Sequence, residues 1–158
     1  MKSNMTAVVR LHDSAITFLN HAQSPLLRLV RLYWGYQFAQ SGWGRLHHVV
    51  NTADFFASLG LPQPYLTVII VSVIEFVGGI LFALGLGSRI VSLVLFLDMT
   101  VAYWTADREA LGHIFNDPGK FYIADPYTFW FASLLILVFG AGYFALDTIV
   151  NRFFQSRK

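Results

Sequence analysis

The sequence predicts an all-α fold: a four-helix bundle integral to a membrane, with a short amphipathic helix ahead of it at the N terminus. Of the 158 residues, 56% are hydrophobic and only 13% are charged, which is far from the balance of an ordinary soluble domain. The hydrophobic residues are also gathered into blocks close to the about 20 residues that a helix needs to cross the hydrocarbon of a bilayer. We therefore expect one domain whose solvent is the lipid bilayer.

Residues 1–24 are predicted to form the amphipathic helix, which should lie on the cytoplasmic surface of the membrane. Its apolar residues recur at helical spacing, namely Val8, Leu11, Ala15, Phe18 and Ala22. Arg10, His12 and Asp13 interrupt this run, so the segment lacks the continuous hydrophobic core of a signal peptide.

Leu26 to Leu46 is the first predicted span, and it is the most polar of the four. It contains Arg28, Arg31 and Arg45. Long arginine side chains near the ends of a span can extend their charged groups toward the membrane surface, so the arginines do not exclude a span here.

Three further spans are predicted: Leu66 to Leu86, Ile90 to Ala106, and Tyr127 to Leu146. The first two of these carry one charge each and the last carries none. Because Gly87 and Ser88 are the only break between the second and third spans, these two spans are predicted to form a tight antiparallel hairpin. Residues 25–147 would make up the transmembrane domain.

The basic residues predict how the chain is oriented in the membrane. Eight of them fall on one side of the predicted spans and three on the other, and the side richer in Lys and Arg is expected to be cytoplasmic. Both termini, including the basic tail of residues 148–158, then face the cytoplasm. The two longer loops, residues 47–64 and 107–125, face outward.

Arg31, Glu75 and Asp98 are the candidate functional residues, because a charge inside a span is costly unless it is paired or neutralised. At about 1.5 Å of rise per residue, an extended Arg31 could reach Glu75 in the second span or Asp98 in the third. One interpretation is a polar pocket that binds a quinone head group or passes protons. The alternative is a buried ion pair that only sets the register of the helices.

Small residues are predicted to let the helices pack closely. They are Gly35, Gly42, Gly78, Gly79, Ala83 and Gly87. Gly79, Ala83 and Gly87 recur every four residues, which would place them on one face of the second span.

Several kinds of site are excluded or disfavoured. The chain has no cysteine, so thiolate nucleophiles, iron–sulfur clusters and cysteine-bound zinc are ruled out for the chain by itself. A haem held within the bundle is disfavoured, because all five histidines fall outside the membrane or at its edge. His47, His48 and His113 share the outer side, but no metal site is expected, because adjacent histidines are more typical of a solvated loop. The net charge of +2 is small and the basic residues are scattered, which does not favour nucleic acid as a partner.

Several short motifs give the chain a resemblance to the DoxX family of small bacterial and archaeal membrane proteins, from about residue 26 to residue 147. In the first span they are Arg31, Gly35, Phe38, Gly42 and Arg45. Residues 55–64 (FFASLGLPQP) lead into the second span. Residues 75–87 (EFVGGILFALGLG) with Arg89 resemble the family's acid, double glycine and arginine, and residues 140–147 (GAGYFALD) close the fourth span.

The resemblance implies a four-helix membrane protein associated with quinone-linked or other oxidoreductase assemblies. We therefore expect a membrane subunit of such an assembly, with quinone as its candidate ligand and a protein partner or a second copy of the chain beside it in the bilayer. Two other interpretations stay open: a small proton-coupled transporter that uses the same pocket, and a non-catalytic membrane anchor for a soluble partner. Whether the chain is itself an enzyme is also left open.

Overall fold

A computed structural model describes residues 2–142 and 145–147, with side chains from His12 onward. All regular structure in this part of the chain is helical, so the predicted all-α class is confirmed there. The helices are α1 (Lys2–His47), α2 (Val49–Ser58), α3 (Pro64–Leu84), α4 (Ser88–Thr105), α5 (Arg108–Gly112), α6 (Pro118–Ile123) and α7 (Pro126–Phe139). The predicted basic tail, residues 148–158, lies outside the described residues.

The N-terminal segment is helical, but the prediction that it forms a separate short helix is wrong. It is continuous with the first predicted span in the 46-residue α1, which runs through Pro25. Proline removes one backbone hydrogen bond from a helix interior, and that loss does not end the helix here. Residues 12–23 are exposed all round, whereas from Leu27 onward one face of α1 is buried. The first part of α1 therefore extends beyond the packed part of the molecule.

Four of the helices pack into a bundle: α1 lies against α3 and α7, and α4 lies against α3 and α7. We call one end of this bundle the hairpin end, after the turn of Gly85, Leu86 and Gly87 that joins α3 to α4. The other end is the loop end, where α2, α5 and α6 lie in the two segments expected to be long loops. Of these three helices, α2 packs against α3 and α6 packs against α7.

The hairpin turn depends on glycine at two positions. Gly85 ends α3 with φ +71° and Gly87 precedes α4 with φ +61°, both in the left-handed region that other residues adopt at a cost. Gly87 therefore lies outside α3. The prediction that it shares a packing face with Gly79 and Ala83 is wrong. Gly87 shapes the turn instead.

The bundle encloses several polar side chains within an apolar core and also presents apolar side chains on its outer faces. Arg31, Glu75 and four serines are buried. The outward face of α3 is apolar, and so is that of α4: Ile70, Val73, Val77, Ile80, Leu93, Leu97 and Val101 are all exposed. Such continuous apolar surface is not stable in water and is the surface that lipid tails contact.

Two of the described helices, α3 and α4, are long and apolar enough to cross a membrane. Only 28% of each apolar window is buried within the protein, unlike the core helix of a soluble domain. The apolar α7 is shorter than the predicted span Tyr127 to Leu146, because Gly140 ends it with φ +78°. Its 14 residues rise about 21 Å.

Candidate functional site

The helices α1 and α3 are in backbone contact along a line of glycines. A Cβ atom added to Gly35 would lie 2.7 Å from the Gly79 carbonyl oxygen, and one added to Gly79 would lie 2.5 Å from the Ala39 nitrogen. Both distances are too short for real atoms, so only glycine fits where the helices cross. Ala83 also lies at this contact, opposite Gly35. Gly78 faces away from it, toward Leu95 of α4.

Gly42 continues this line of contact toward the loop end and brings α1 against Glu75. A Cβ added to Gly42 would overlap the Ser72 backbone oxygen and would lie 3.1 Å from the Glu75 Cβ. Arg45 is three residues further along α1, on the same face. Its guanidinium forms an ion pair with the Glu75 carboxylate. Glu75 is 1% exposed, and the Arg45 side chain is 32% exposed.

Arg45 therefore takes the place that sequence reasoning assigned to Arg31. The prediction that Arg31 contacts Glu75 or Asp98 is wrong because Arg45, at the loop end of α1, lies level with Glu75. The spacing of Phe38, Gly42 and Arg45 could have revealed this, since residues four and three apart lie on one helix face. The hydropathy pattern instead treated Arg45 as a charge at the membrane edge.

Asp98 completes a polar triad with Arg45 and Glu75. Its carboxyl group lies near that of Glu75 and within electrostatic range of Arg45. Two neighbouring carboxyl groups repel each other when both are charged. The triad thus combines two carboxyl groups with one arginine. The buried Oδ2 of Asp98 has no hydrogen-bond partner among the described residues.

The triad lies at the base of a cavity of about 780 Å³ that extends toward the loop end. Apolar and aromatic side chains make up much of its wall, among them Trp34, Phe55, Phe56, Val71, Met99 and Phe129. Gln37 and Ser41 of α1 add polar groups between them. Asp107 and Asp125 lie at the mouth. Burial raises the pKa of Asp107 above its ordinary value, and the charge of Asp125 adds to this effect.

Arg31 belongs to a separate cluster at the hairpin end. It is 1% exposed, and its guanidinium packs so tightly against Gly85 that a Cβ there would overlap it. Gly85 lies ten residues beyond Glu75, about 15 Å along α3, so the three predicted site residues do not form one pocket. Asp147 attracts Arg31 electrostatically.

Asp147, the last described residue, is hydrogen-bonded to the hairpin turn. This role was not predicted from the sequence. The Oδ1 of Asp147 accepts a hydrogen bond from the Gly87 nitrogen at 2.7 Å, and its Oδ2 accepts bonds from the Ser88 nitrogen and hydroxyl at 2.9 and 2.8 Å. Burial acts to raise the pKa of Asp147, but these hydrogen bonds and Arg31 outweigh it and hold the pKa below its ordinary value. The carboxylate thus caps the first turn of α4.

The histidines considered as metal ligands make local contacts. A ring nitrogen of His47 lies 2.9 Å from the Trp43 carbonyl oxygen, and one of His48 lies 3.0 Å from that of Gly44. His113 is close to Glu109. Among the described residues, no group of three or more His, Cys, Asp or Glu side chains is arranged to hold a metal ion.

Comparison with known proteins gives two similarities. The family model described as DoxX matches residues 26–108, which is more than half of the chain and includes Arg31, Arg45, Glu75 and Asp98. The chain is also 28% identical over 124 residues to a Bacillus subtilis (strain 168) protein named "Putative oxidoreductase CatD". That similarity covers 77% of this chain and 84% of the relative. No solved structure matches the chain significantly.

Proposed function

The chain belongs to the DoxX family, and from this premise we propose that it is a membrane subunit of an oxidoreductase assembly whose loop-end cavity binds a quinone head group. In this proposal α1, α3, α4 and α7 all cross the bacterial cytoplasmic membrane, with both termini in the cytoplasm. The apolar outward faces of the bundle support this placement. The name of the Bacillus subtilis relative supports the oxidoreductase assembly.

The observation that carries the proposal is the position of the Arg45–Glu75–Asp98 triad at the base of the cavity. Cavities of about 300–1,000 Å³ with apolar walls and a few convergent polar groups are the usual form of a small-molecule site. A quinone ring is flat and apolar with a carbonyl oxygen at each end. In this proposal the aromatic side chains of Trp34 and Phe129 pack against the ring, and the triad binds one carbonyl oxygen.

Quinone reduction needs two electrons and two protons, and the triad can supply the proton chemistry at one oxygen. A guanidinium N–H of Arg45 would donate a hydrogen bond to the carbonyl oxygen, which becomes more basic as electrons arrive from a redox partner. Asp98, in its protonated form, would transfer its proton to that oxygen. The transfer would leave two carboxylates beside one arginine, so the triad would take up a new proton from water in the cavity.

Quinone binding can be measured by the quenching of tryptophan fluorescence in the purified protein, because Trp34 lies in the cavity wall. Titration with a short-chain ubiquinone or menaquinone analogue should give saturable quenching. Arg45→Gln and Asp98→Asn should each weaken binding about tenfold to a hundredfold, the loss expected for one charge-assisted hydrogen bond.

Arg108→Gln and Asp54→Asn are the matched controls, because both side chains are exposed and lie outside the cavity lining. They should bind the analogue as the native chain does. Quenching that is non-saturable and equal in all five proteins would mean that the quinone only partitions into the detergent micelle. In that case the quinone proposal is wrong.

A further inference from the structure

The cavity connects the triad to the loop end, and the bundle is closed toward the hairpin end. We propose that the cavity is a water-filled half-channel through which Glu75 and Asp98 exchange protons with the compartment at the loop end only. The inference rests on the proposed insertion of the bundle in a membrane, but it does not depend on quinone binding.

The depth of Asp98 and the size of the cavity indicate that the half-channel is open toward the loop end. Asp98 lies seven residues before the end of α4 at Thr105, about 10 Å from the loop end. The cavity of about 780 Å³ is far larger than the about 30 Å³ that one water molecule occupies. Its base and mouth are polar, and Gln37 and Ser41 lie in the wall between them, so water entering from the loop end would find hydrogen-bond partners at intervals along a partly apolar path.

The closed side is an apolar layer immediately below the triad. Phe38, Phe82, Leu95 and Ile136 are each 0% exposed and belong to one core cluster. The Phe38 ring centroid lies 6.2 Å from that of Phe82 and 4.7 Å from that of Phe129. Close-packed aromatic and aliphatic side chains of this kind leave no room for water.

The buried serines near this layer do not provide a polar route through it. The Ser92 hydroxyl donates to the Ser88 carbonyl oxygen at 2.6 Å, and the Ser133 hydroxyl donates to the Phe129 carbonyl oxygen at 2.9 Å. Each hydroxyl is therefore bonded within its own helix and is not available to relay a proton between helices. The proton on the carboxyl pair has one way out, toward the loop end.

The charged and titratable groups along the path are few. Arg45 of α1 and Glu75 of α3 face Asp98 directly, and α2 adds no titratable group to the lining. Tyr122 of α6, Asp107 after α4 and Asp125 before α7 line the mouth. The two mouth carboxylates attract protons and other cations toward the cavity.

Single cysteines can test the access directly, because the native chain contains none. Ser41→Cys places a thiol in the cavity wall, and Ser92→Cys places one in the sealed part of the bundle. A membrane-impermeant methanethiosulfonate should modify Ser41→Cys at least about tenfold faster than Ser92→Cys, because only an accessible thiolate reacts. Exposed Ser58→Cys and Ser14→Cys mark the loop and hairpin sides in sealed vesicles of both orientations.

The expected result is that Ser41→Cys reacts only in vesicles in which the loop-side marker Ser58→Cys also reacts. Modification of Ser41→Cys from the hairpin side, or modification as slow as that of Ser92→Cys in both detergent and vesicles, would overturn the half-channel. Melting temperatures confirm that both variants are folded. If alkaline extraction removes the protein from the vesicles, the membrane premise of the proposed function fails instead, and the detergent measurement still tests cavity access.

Proton exchange itself can be followed with dicyclohexylcarbodiimide, which adds to a protonated carboxyl group and leaves a stable N-acylurea on it. Raising the pH on the loop side of sealed vesicles should slow modification of Glu75 and Asp98, as measured by mass spectrometry of their peptides. Raising the pH on the hairpin side should leave the rate unchanged. Equal responses to the two sides would show that protons reach the pair from both compartments, and the inference would be wrong.

Discussion

Arg31 and Arg45 lie on the same face of α1, fourteen residues apart, and each is near an acid, but their surroundings differ. At the hairpin end, Arg31 is close to Asp147, whose two oxygens accept three hydrogen bonds from Gly87 and Ser88. At the loop end, Arg45 pairs with Glu75, and Asp98 adds a second carboxyl with an oxygen that has no partner among the described residues.

The difference shows that a buried charge does not identify a functional site by itself. The hairpin cluster uses its acceptors to hold a turn and a helix start together, and Gly85 leaves no space beside it. The loop-end triad has one more carboxyl than its arginine can balance and a large cavity above it. Proton chemistry requires a carboxyl group that can take up a proton and open space beside it. Of these two clusters, the loop-end triad has both.

If the hairpin cluster is structural, Gly85→Ala should have the largest effect on stability. The new Cβ would overlap the Arg31 guanidinium and lie 2.8 Å from the Ala145 Cβ, at a residue with φ +71°. Strain in the left-handed region together with overpacking should cost about 4 kcal/mol. Thermal unfolding in detergent measures this loss.

Gly44→Ala is the control for this change, because a Cβ there would have no neighbour within 4 Å. It should leave stability unchanged or raise it by up to about 1 kcal/mol, since alanine favours a helix over glycine. Equal stability of the two variants would mean that the contact between Gly85 and Arg31 does not hold the hairpin end together.

Asp147→Ala should have the next largest effect, again at the hairpin end. It removes the three hydrogen bonds that cap α4 and the attraction on Arg31, which together should cost about 2 kcal/mol of unfolding free energy. Asp54→Ala, at an exposed position on α2, should change stability by less than about 0.5 kcal/mol. Matching denaturation curves for the two variants would remove the capping role of Asp147.

Acid titration should show a smaller effect of the Asp147 carboxylate on the free energy of unfolding. Because the pKa of Asp147 is lower in the folded protein than its ordinary value, its contribution is fully present above the unfolded pKa of about 3.9. It is lost as the pH falls through the folded pKa. The native chain should therefore lose stability more steeply than Asp147→Asn below about pH 4. Parallel stability curves for the two proteins would contradict this assignment.

Glu75→Gln should lower stability by about 1 kcal/mol at most, because Asp98 can ionise and take over the pairing with Arg45. The folded variant should nevertheless lose quinone binding or the activity of its complex, since an amide cannot carry the proton that a carboxyl group can. Melting temperature and activity, measured on the same preparation, separate the two effects. Residual activity that only follows the amount of folded protein would make Glu75 a structural residue like Asp147.

Asp98→Asn should have the smallest effect on stability, within about 0.5 kcal/mol. An amide group can donate to the Glu75 carboxylate where the carboxylic acid did, so the contact is kept while the transferable proton is lost. Comparison with Asp147→Asn tests the same chemical change at the two ends of the bundle. A larger loss of stability at Asp98 than at Asp147 would reverse the roles that we assign to them.

Local sequence patterns predicted much of the fold but not the partners within the site. The apolar blocks around Glu75 and Asp98 predicted the helices that became α3 and α4 within a few residues. The continuity of α1 through Pro25 and the early end of α7 at Gly140 were not predicted. A proline or glycine changes the local preference of the backbone, whereas the packing around it decides whether a helix continues.

The sequence by itself determined that the chain is helical, that its outward faces are apolar and that Glu75 and Asp98 lie within its apolar helices, because hydropathy and helical period are properties of neighbouring residues. Which arginine meets these acids was decided only by the tertiary structure. The contacts of Gly35, Gly42 and Gly79 set where α1 crosses α3, and that crossing places Arg45 beside Glu75 and Arg31 beside Gly85. The register of two helices depends on atoms far apart in the chain, and no local pattern in either helix specifies it.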